Sequence, residues 1–125
     1  MPVSESYIQF VRDLLAPFEP LRIKRMFGGA GIYTADVFFA ILADDTLYLK
    51  VDDHTRPGYE RWGLRPFSYT TKRGRTSTMS YYPVPPDVLE GPEALKALVQ
   101  EAVGVARRTG SQRTNLRKGE NPVAE

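Results

Sequence analysis

The sequence predicts an α+β fold of two layers, an antiparallel sheet packed by helices in the order α-β-β-β-α-β-β-α. Apolar residues recur at helical spacing at the two ends of the chain, the middle alternates with a period of two, and Gly, Pro and Asp break that middle at hairpin intervals. With 125 residues, 42% hydrophobic and 26% charged, the chain is large enough to bury one core without covalent staples.

Ser4 is placed to cap a first helix that puts Tyr7, Val11, Leu14, Leu15 and Phe18 on one face, and Pro17 and Pro20 end it. Leu21 to Phe27 reads as a strand, Gly28 to Gly31 as a turn, and Ile32 to Ala43 as a second strand with an interruption near Thr34 to Asp36. Thr46 to Val51 is the third. A two-residue loop at Asp44-Asp45 sets Ala40 against Leu49 and Leu42 against Leu47, and gathers Phe38, Ala40, Leu42, Leu47, Leu49 and Val51 on the core side. The opposite side then holds Phe39, Ile41 and Tyr48, too apolar a set to face water. Either another element of the chain, such as the N-terminal segment, or a second subunit in a symmetric dimer covers it.

Asp53 is placed to cap a short helix reaching Trp62, with Pro57 in its first turn and Gly63 after its end. A second hairpin spans Pro66 to Tyr82. A three-residue loop, Lys72-Arg73-Gly74, pairs Phe67 with Met79 and Tyr69 with Ser77 and puts Gly74 at the left-handed position. Pro83, Pro85 and Pro86 end that strand. Gly91-Pro92-Glu93 opens a last helix whose stripe is Leu95, Leu98, Val99, Ala102 and Ala106, with Gly110 as its expected C-cap.

Composition limits the function classes. The absence of cysteine excludes disulfides and thiolate metal sites and agrees with a cytoplasmic setting. The longest apolar run, Val37 to Ala43, is too short for a bilayer, so no membrane partner is expected. The net charge of +2 is unevenly placed. Arg107, Arg108, Arg113, Arg117 and Lys118 stand against only Glu120 and Glu125, whereas residues 1–106 carry 12 basic and 13 acidic side chains. Residues 109–125 are therefore expected to form a basic, flexible tail on a folded body of residues 1–108. In the body, the basic candidates are Lys72, Arg73 and Arg75 at the second hairpin tip. Together with Arg107, Arg108, Arg113, Arg117 and Lys118 they form the candidate nucleic-acid contacts.

The block Arg25-Met26-Phe27-Gly28-Gly29-Ala30-Gly31-Ile32-Tyr33, followed by Leu47-Tyr48-Leu49-Lys50, Pro66-Phe67-Ser68-Tyr69 and Met79-Ser80-Tyr81-Tyr82, resembles the N-terminal domain of the TfoX/Sxy family. On that resemblance Phe27, Gly28, Gly29, Gly31, Tyr33, Tyr81 and Tyr82 are motif residues with structural roles. The resemblance implies a secretion-chaperone-like α+β fold. It also implies kinship with regulators of bacterial DNA-uptake competence that act with a cyclic-AMP-dependent activator. Full-length regulators of this kind add a C-terminal helical domain, and the expectation here is a stand-alone N-terminal domain without it. The motif carries over no catalytic residue.

Chemical motifs are otherwise sparse. The glycine block has Thr34 where a dinucleotide fingerprint needs glycine, and it lacks the Gly-Lys-Ser/Thr end of a phosphate loop. His54 is the single histidine and is expected to be solvated in a helical turn; Asp44-Asp45 and Asp52-Asp53 serve turns and caps better than a cation. No cofactor, metal or catalytic set is expected. Tyr81-Tyr82 with Tyr69 and Phe67 could stack bases, although core and cross-strand packing accounts for them more simply. The leading expectation is a non-enzymatic regulatory or adaptor domain acting through protein contacts or as a homodimer. Direct nucleic-acid binding is the alternative, and small-ligand binding in a tyrosine-lined pocket the third reading.

Overall fold

The computed structural model describes residues 3–26, 28–70 and 73–116. Helix α1 (Glu5–Leu14) begins as expected, with the Ser4 hydroxyl accepting the Tyr7 N–H at 3.1 Å. A second bond fixes its origin in space, because Asp45 Oδ1 accepts the Ser4 N–H at 2.9 Å and ties the helix start to a hairpin loop of the sheet. A 3-10 turn, Ala16–Phe18, follows and includes Pro17.

Four strands come next: β1 (Leu21–Met26), β2 (Gly29–Thr34), β3 (Val37–Ala43) and β4 (Thr46–Lys50). The expected interruption near Thr34 is a full reversal. Ala35 and Asp36 both have positive φ, +49° and +64°, as do Asp44 and Asp45 at +53° and +51°, so two-residue turns of the same hand join β2 to β3 and β3 to β4. The register of the Asp44-Asp45 hairpin is the expected one, with Ala40 opposite Leu49 and Leu42 opposite Leu47.

The glycine block departs from its reading as a turn. Only Gly28, at φ +81°, lies between strands, while Gly29, Ala30 and Gly31 are ladder residues of β2. At Gly29 the reason is proximity: a Cβ would stand 2.4 Å from the Leu42 carbonyl oxygen on β3.

Helix α2 (Arg56–Arg61) carries Pro57 in its first turn and is followed by Gly63 at φ +77°. Asp53 is not the cap: the N-cap position is Thr55, without a side-chain capping bond, and in the turn before it Asp52 accepts the His54 and Thr55 N–H groups, each at 3.0 Å. The second hairpin pairs β5 (Ser68–Thr70) with β6 (Thr76–Thr78) in the expected register, Tyr69 opposite Ser77, and Met79 donates its N–H to the Phe67 carbonyl. Gly74 takes φ +83°, while Thr71 and Lys72 at the tip lie outside the described residues. Strand β7 (Tyr81–Pro83) then leaves this hairpin and joins the large sheet, whose order is β1-β2-β3-β4-β7. After a single turn, α3 (Pro86–Leu89), the final helix α4 (Pro92–Leu116) passes through Gly110 instead of stopping there, so residues 109–116 of the expected tail are helical.

The core lies between the sheet and α1 and α4. Val11 and Leu15 meet Ala30, Ile32, Phe39, Ala40, Leu42, Leu47 and Leu49, with Leu95, Val99, Ala102 and Ala106 closing from α4. Phe39 belongs to this side, contrary to the expected alternation. The register changes between Ile32 opposite Ala40 and Tyr33 opposite Phe38, a bulge that gives β3 one extra residue and turns both Phe39 and Ala40 inward. Phe38 takes the outer position instead and packs with Tyr48, Ile41 and Tyr81. Val51 joins Tyr59 and Tyr82 in a third cluster below α2, with Leu64 and Leu98 against it.

Candidate functional site

The outer face of the sheet is aromatic, bordered by cations. Tyr33 on β2 and Phe38 on β3 are direct neighbours across the Ala35-Asp36 hairpin, and their rings stack at 4.9 Å and 21°. The Arg22 guanidinium covers the other side of Tyr33 at 4.4 Å, Tyr81 meets Phe38 at 5.8 Å, and the Lys50 ammonium lies 4.8 Å from the Tyr81 ring. The result is a ladder, Arg22, Tyr33, Phe38, Tyr81, Lys50, with a cation at each end and rings satisfied by one another. Ile41 is buried beneath it, and Tyr48 meets Phe67 edge-on at 5.0 Å. What covers Ile41 is thus the Phe67 and Met79 segment of the same chain, not the N-terminal segment.

This geometry bears on the candidate residues. Tyr81 and Tyr82 are consecutive in β7, so they face opposite layers and are 3% and 4% exposed, leaving no ring face for a base to stack on. Of the proposed interface trio, Phe39 is fully buried in the helical core and Ile41 is 8% exposed, while Tyr48 is half-buried with its hydroxyl pKa raised by burial and by Asp44. Gly28 and Gly29 serve the β1–β2 connection and the close approach to β3, Gly31 is a buried ladder residue, and Phe27 lies outside the described residues.

Among the described residues, the candidate nucleic-acid contacts lie on two elements, the second hairpin and α4. Arg73, Arg75, Arg107 and Arg108 are exposed, the first pair at the second hairpin and the second pair on α4. Arg113 falls in the helical continuation, and Lys72, Arg117 and Lys118 lie outside the described residues. Part of the positive charge is locally answered. Arg25 binds Glu5 at 2.6 Å, Arg56 binds Asp53 at 2.6 Å and lies 3.7 Å from Glu60, and Arg108 binds Asp52 at 2.8 Å.

Asp52 is held well below the usual carboxylate range. The Arg108 guanidinium and the Thr55 and His54 backbone donors hold its pKa down to about 2. Glu101, one helical stretch before Arg108, is raised by burial and by the Asp52 charge. Asp52 therefore joins the start of α2 to the far part of α4. Sequence reasoning paired neither Asp52 with Arg108 nor Arg22 with Tyr33. The second had a legible signal, because taking Ala35-Asp36 as a two-residue turn places Tyr33 beside Phe38 and Arg22 next in the row. His54 is exposed and donates only its backbone N–H to Asp52; among the described residues no three His, Asp or Glu side chains gather to hold a metal ion. Among the same residues no helix is long and apolar enough to cross a membrane.

An open five-stranded antiparallel sheet, helices on one face and a short hairpin over part of the other, defines an α+β domain of two principal layers. Residues 13–106 match the TfoX N-terminal domain, and the chain belongs to that family. It is similar, at 27% identity over 105 residues, to a protein of Aliivibrio fischeri named DNA transformation protein TfoX1, with 84% of this chain and 48% of the relative aligned. The chain thus spans about half the length of that curated relative.

Proposed function

We propose that this domain is a non-enzymatic regulatory or adaptor module of the TfoX type, related to competence, which acts by binding other proteins. The observation that carries the reading is the local pairing of three arginines with carboxylates, in Arg25–Glu5, Arg56–Asp53 and Arg108–Asp52. A surface for nucleic acid needs clustered, uncommitted cations to release counterions, and pairing works against that. Among the described residues two large apolar side chains are left outside, Phe10 at 44% and Trp62 at 50%, and aromatic residues of this kind anchor protein interfaces. The name of the Aliivibrio fischeri relative agrees with a role connected to DNA transformation.

Native co-purification with the full chain is the test. Recovery of the same protein partner in repeated isolations supports the reading. Repeated return of no partner, together with an unchanged transcriptome on deletion of the chain, contradicts it.

A further inference from the structure

The two edges of the large sheet are finished differently. At the β7 edge the outward groups are satisfied or missing: Tyr81 donates its N–H to Met79 and its carbonyl accepts from Phe67, both at 2.8 Å, and Pro83 has no N–H. Among the described residues the β1 edge is closed only at its first donor. Glu19 Oε1 accepts the Leu21 N–H at 2.8 Å, so that donor is not spent on β2. By the alternation of an antiparallel ladder, Ile23 and Arg25 also turn their N–H and C=O groups away from β2. Among the described residues no backbone group meets them. All six residues of β1 are in register with β2, which makes this edge a straight, preformed template.

The side chains specify what fits it. Leu21 and Ile23 point to the helical side and are half-buried against the core, while Arg22 and Lys24 are exposed on the other face. Arg22 lies 3.8 Å from Asp36, whose side chain is 93% exposed, a contact that opens at little cost. A second copy of the chain fits poorly. Antiparallel pairing centred on Ile23 sets Arg22 against Lys24 twice, and centring on Lys24 or Arg25 sets that residue against itself.

We infer that the β1 edge binds an extended acidic segment of a partner protein by strand addition, with alternate carboxylates over Arg22 and Lys24 and intervening apolar residues beside Leu21 and Ile23. The inference rests on the protein-contact reading and names the chemistry of the contact.

The probe is a blocked heptapeptide of alternating glutamate and valine, added to the full chain while amide exchange is followed by NMR. Saturating peptide slows exchange at Ile23 and Arg25 by at least about tenfold, and the exposed double substitution R22E/K24E weakens binding by a similar factor. Two peptides N-methylated on alternate residues separate the ladder from charge alone: the one methylated on the set facing β1 fails to bind, and the other binds. Equal binding of both, or binding without protection of Ile23 and Arg25, overturns the inference. So does protection that grows with protein concentration and no peptide, which assigns the edge to a second copy. If the heptapeptide fails but a native protein partner still binds R22E/K24E, the protein-contact reading stands and the edge assignment falls; if neither binds, both fall.

Discussion

Gly29 and Leu42 are held so close across β2 and β3 that a methyl group on Gly29 would stand 2.4 Å from the Leu42 carbonyl oxygen. The obstacle is backbone at the centre of the sheet, so it cannot swing aside. Gly29→Ala is expected to lower stability by about 2–3 kcal/mol through overpacking. Gly104→Ala is the counterpart. There the nearest atom is the end of the Arg108 side chain at 3.7 Å, and replacing a mid-helix glycine gains about 0.5–1 kcal/mol. Chemical denaturation of both variants checks the opposite signs.

The bulge in β3 predicts unequal effects for adjacent residues. Phe39 is fully buried in the helical core, and Phe39→Ala should cost about 3–5 kcal/mol. Phe38 is half-buried on the outer face, and Phe38→Ala should cost about 1–2 kcal/mol. Equal losses, or the reverse order, would place the extra residue of the strand elsewhere.

The outer ladder should behave as a coupled unit. A double-mutant cycle on Tyr33→Leu and Phe38→Leu is expected to return about 0.5–1.5 kcal/mol for the stacked pair, read by equilibrium unfolding.

Asp52 sets an acid limit on the junction of α2 and α4. Its pKa in the folded chain, about 2, lies below the ordinary 3.8, so its contribution is complete above pH 3.8 and lost as pH falls through 2. The Arg108 side chain is 60% exposed, so screening reduces that contribution to about 1 kcal/mol. Asp52→Asn keeps a side-chain oxygen for the His54 and Thr55 donors but removes the charge. Its stability loss should be present at neutral pH and vanish near pH 2, as measured by urea midpoints across that window.

The Ala35-Asp36 turn is open to improvement. Ala35 occupies a left-handed conformation at φ +49°, which asparagine tolerates better, and Ala35→Asn should raise stability by about 0.5–1 kcal/mol.

Legibility in the sequence followed locality. The Ser4 cap, the Asp44-Asp45 hairpin register and the pairing of Tyr69 with Ser77 were readable because each depends on a few neighbouring residues and on parity. The side of the sheet taken by Phe39 was not readable, because a bulge opposite Ile32 and Tyr33 resets that parity without a sequence mark. Gly29 looked like a turn residue because proximity to another strand and positive φ both call for glycine, and only the fold distinguishes them. Gly110 looked like a helix end for the same reason of propensity, yet α4 continues to Leu116. At the candidate site, the exposed hairpin arginines were legible as exposed. The pairing of Arg108 with Asp52, 56 positions away, was not, because it depends on how α4 crosses the start of α2.

The most direct measurement is salt-titrated binding of DNA and RNA to the full chain, with mass in solution recorded on the same samples. A domain that works through protein contacts shows no binding that weakens steeply with salt. Tight, strongly salt-dependent binding that survives truncation after Thr109 would locate recognition on the body and contradict the proposed function.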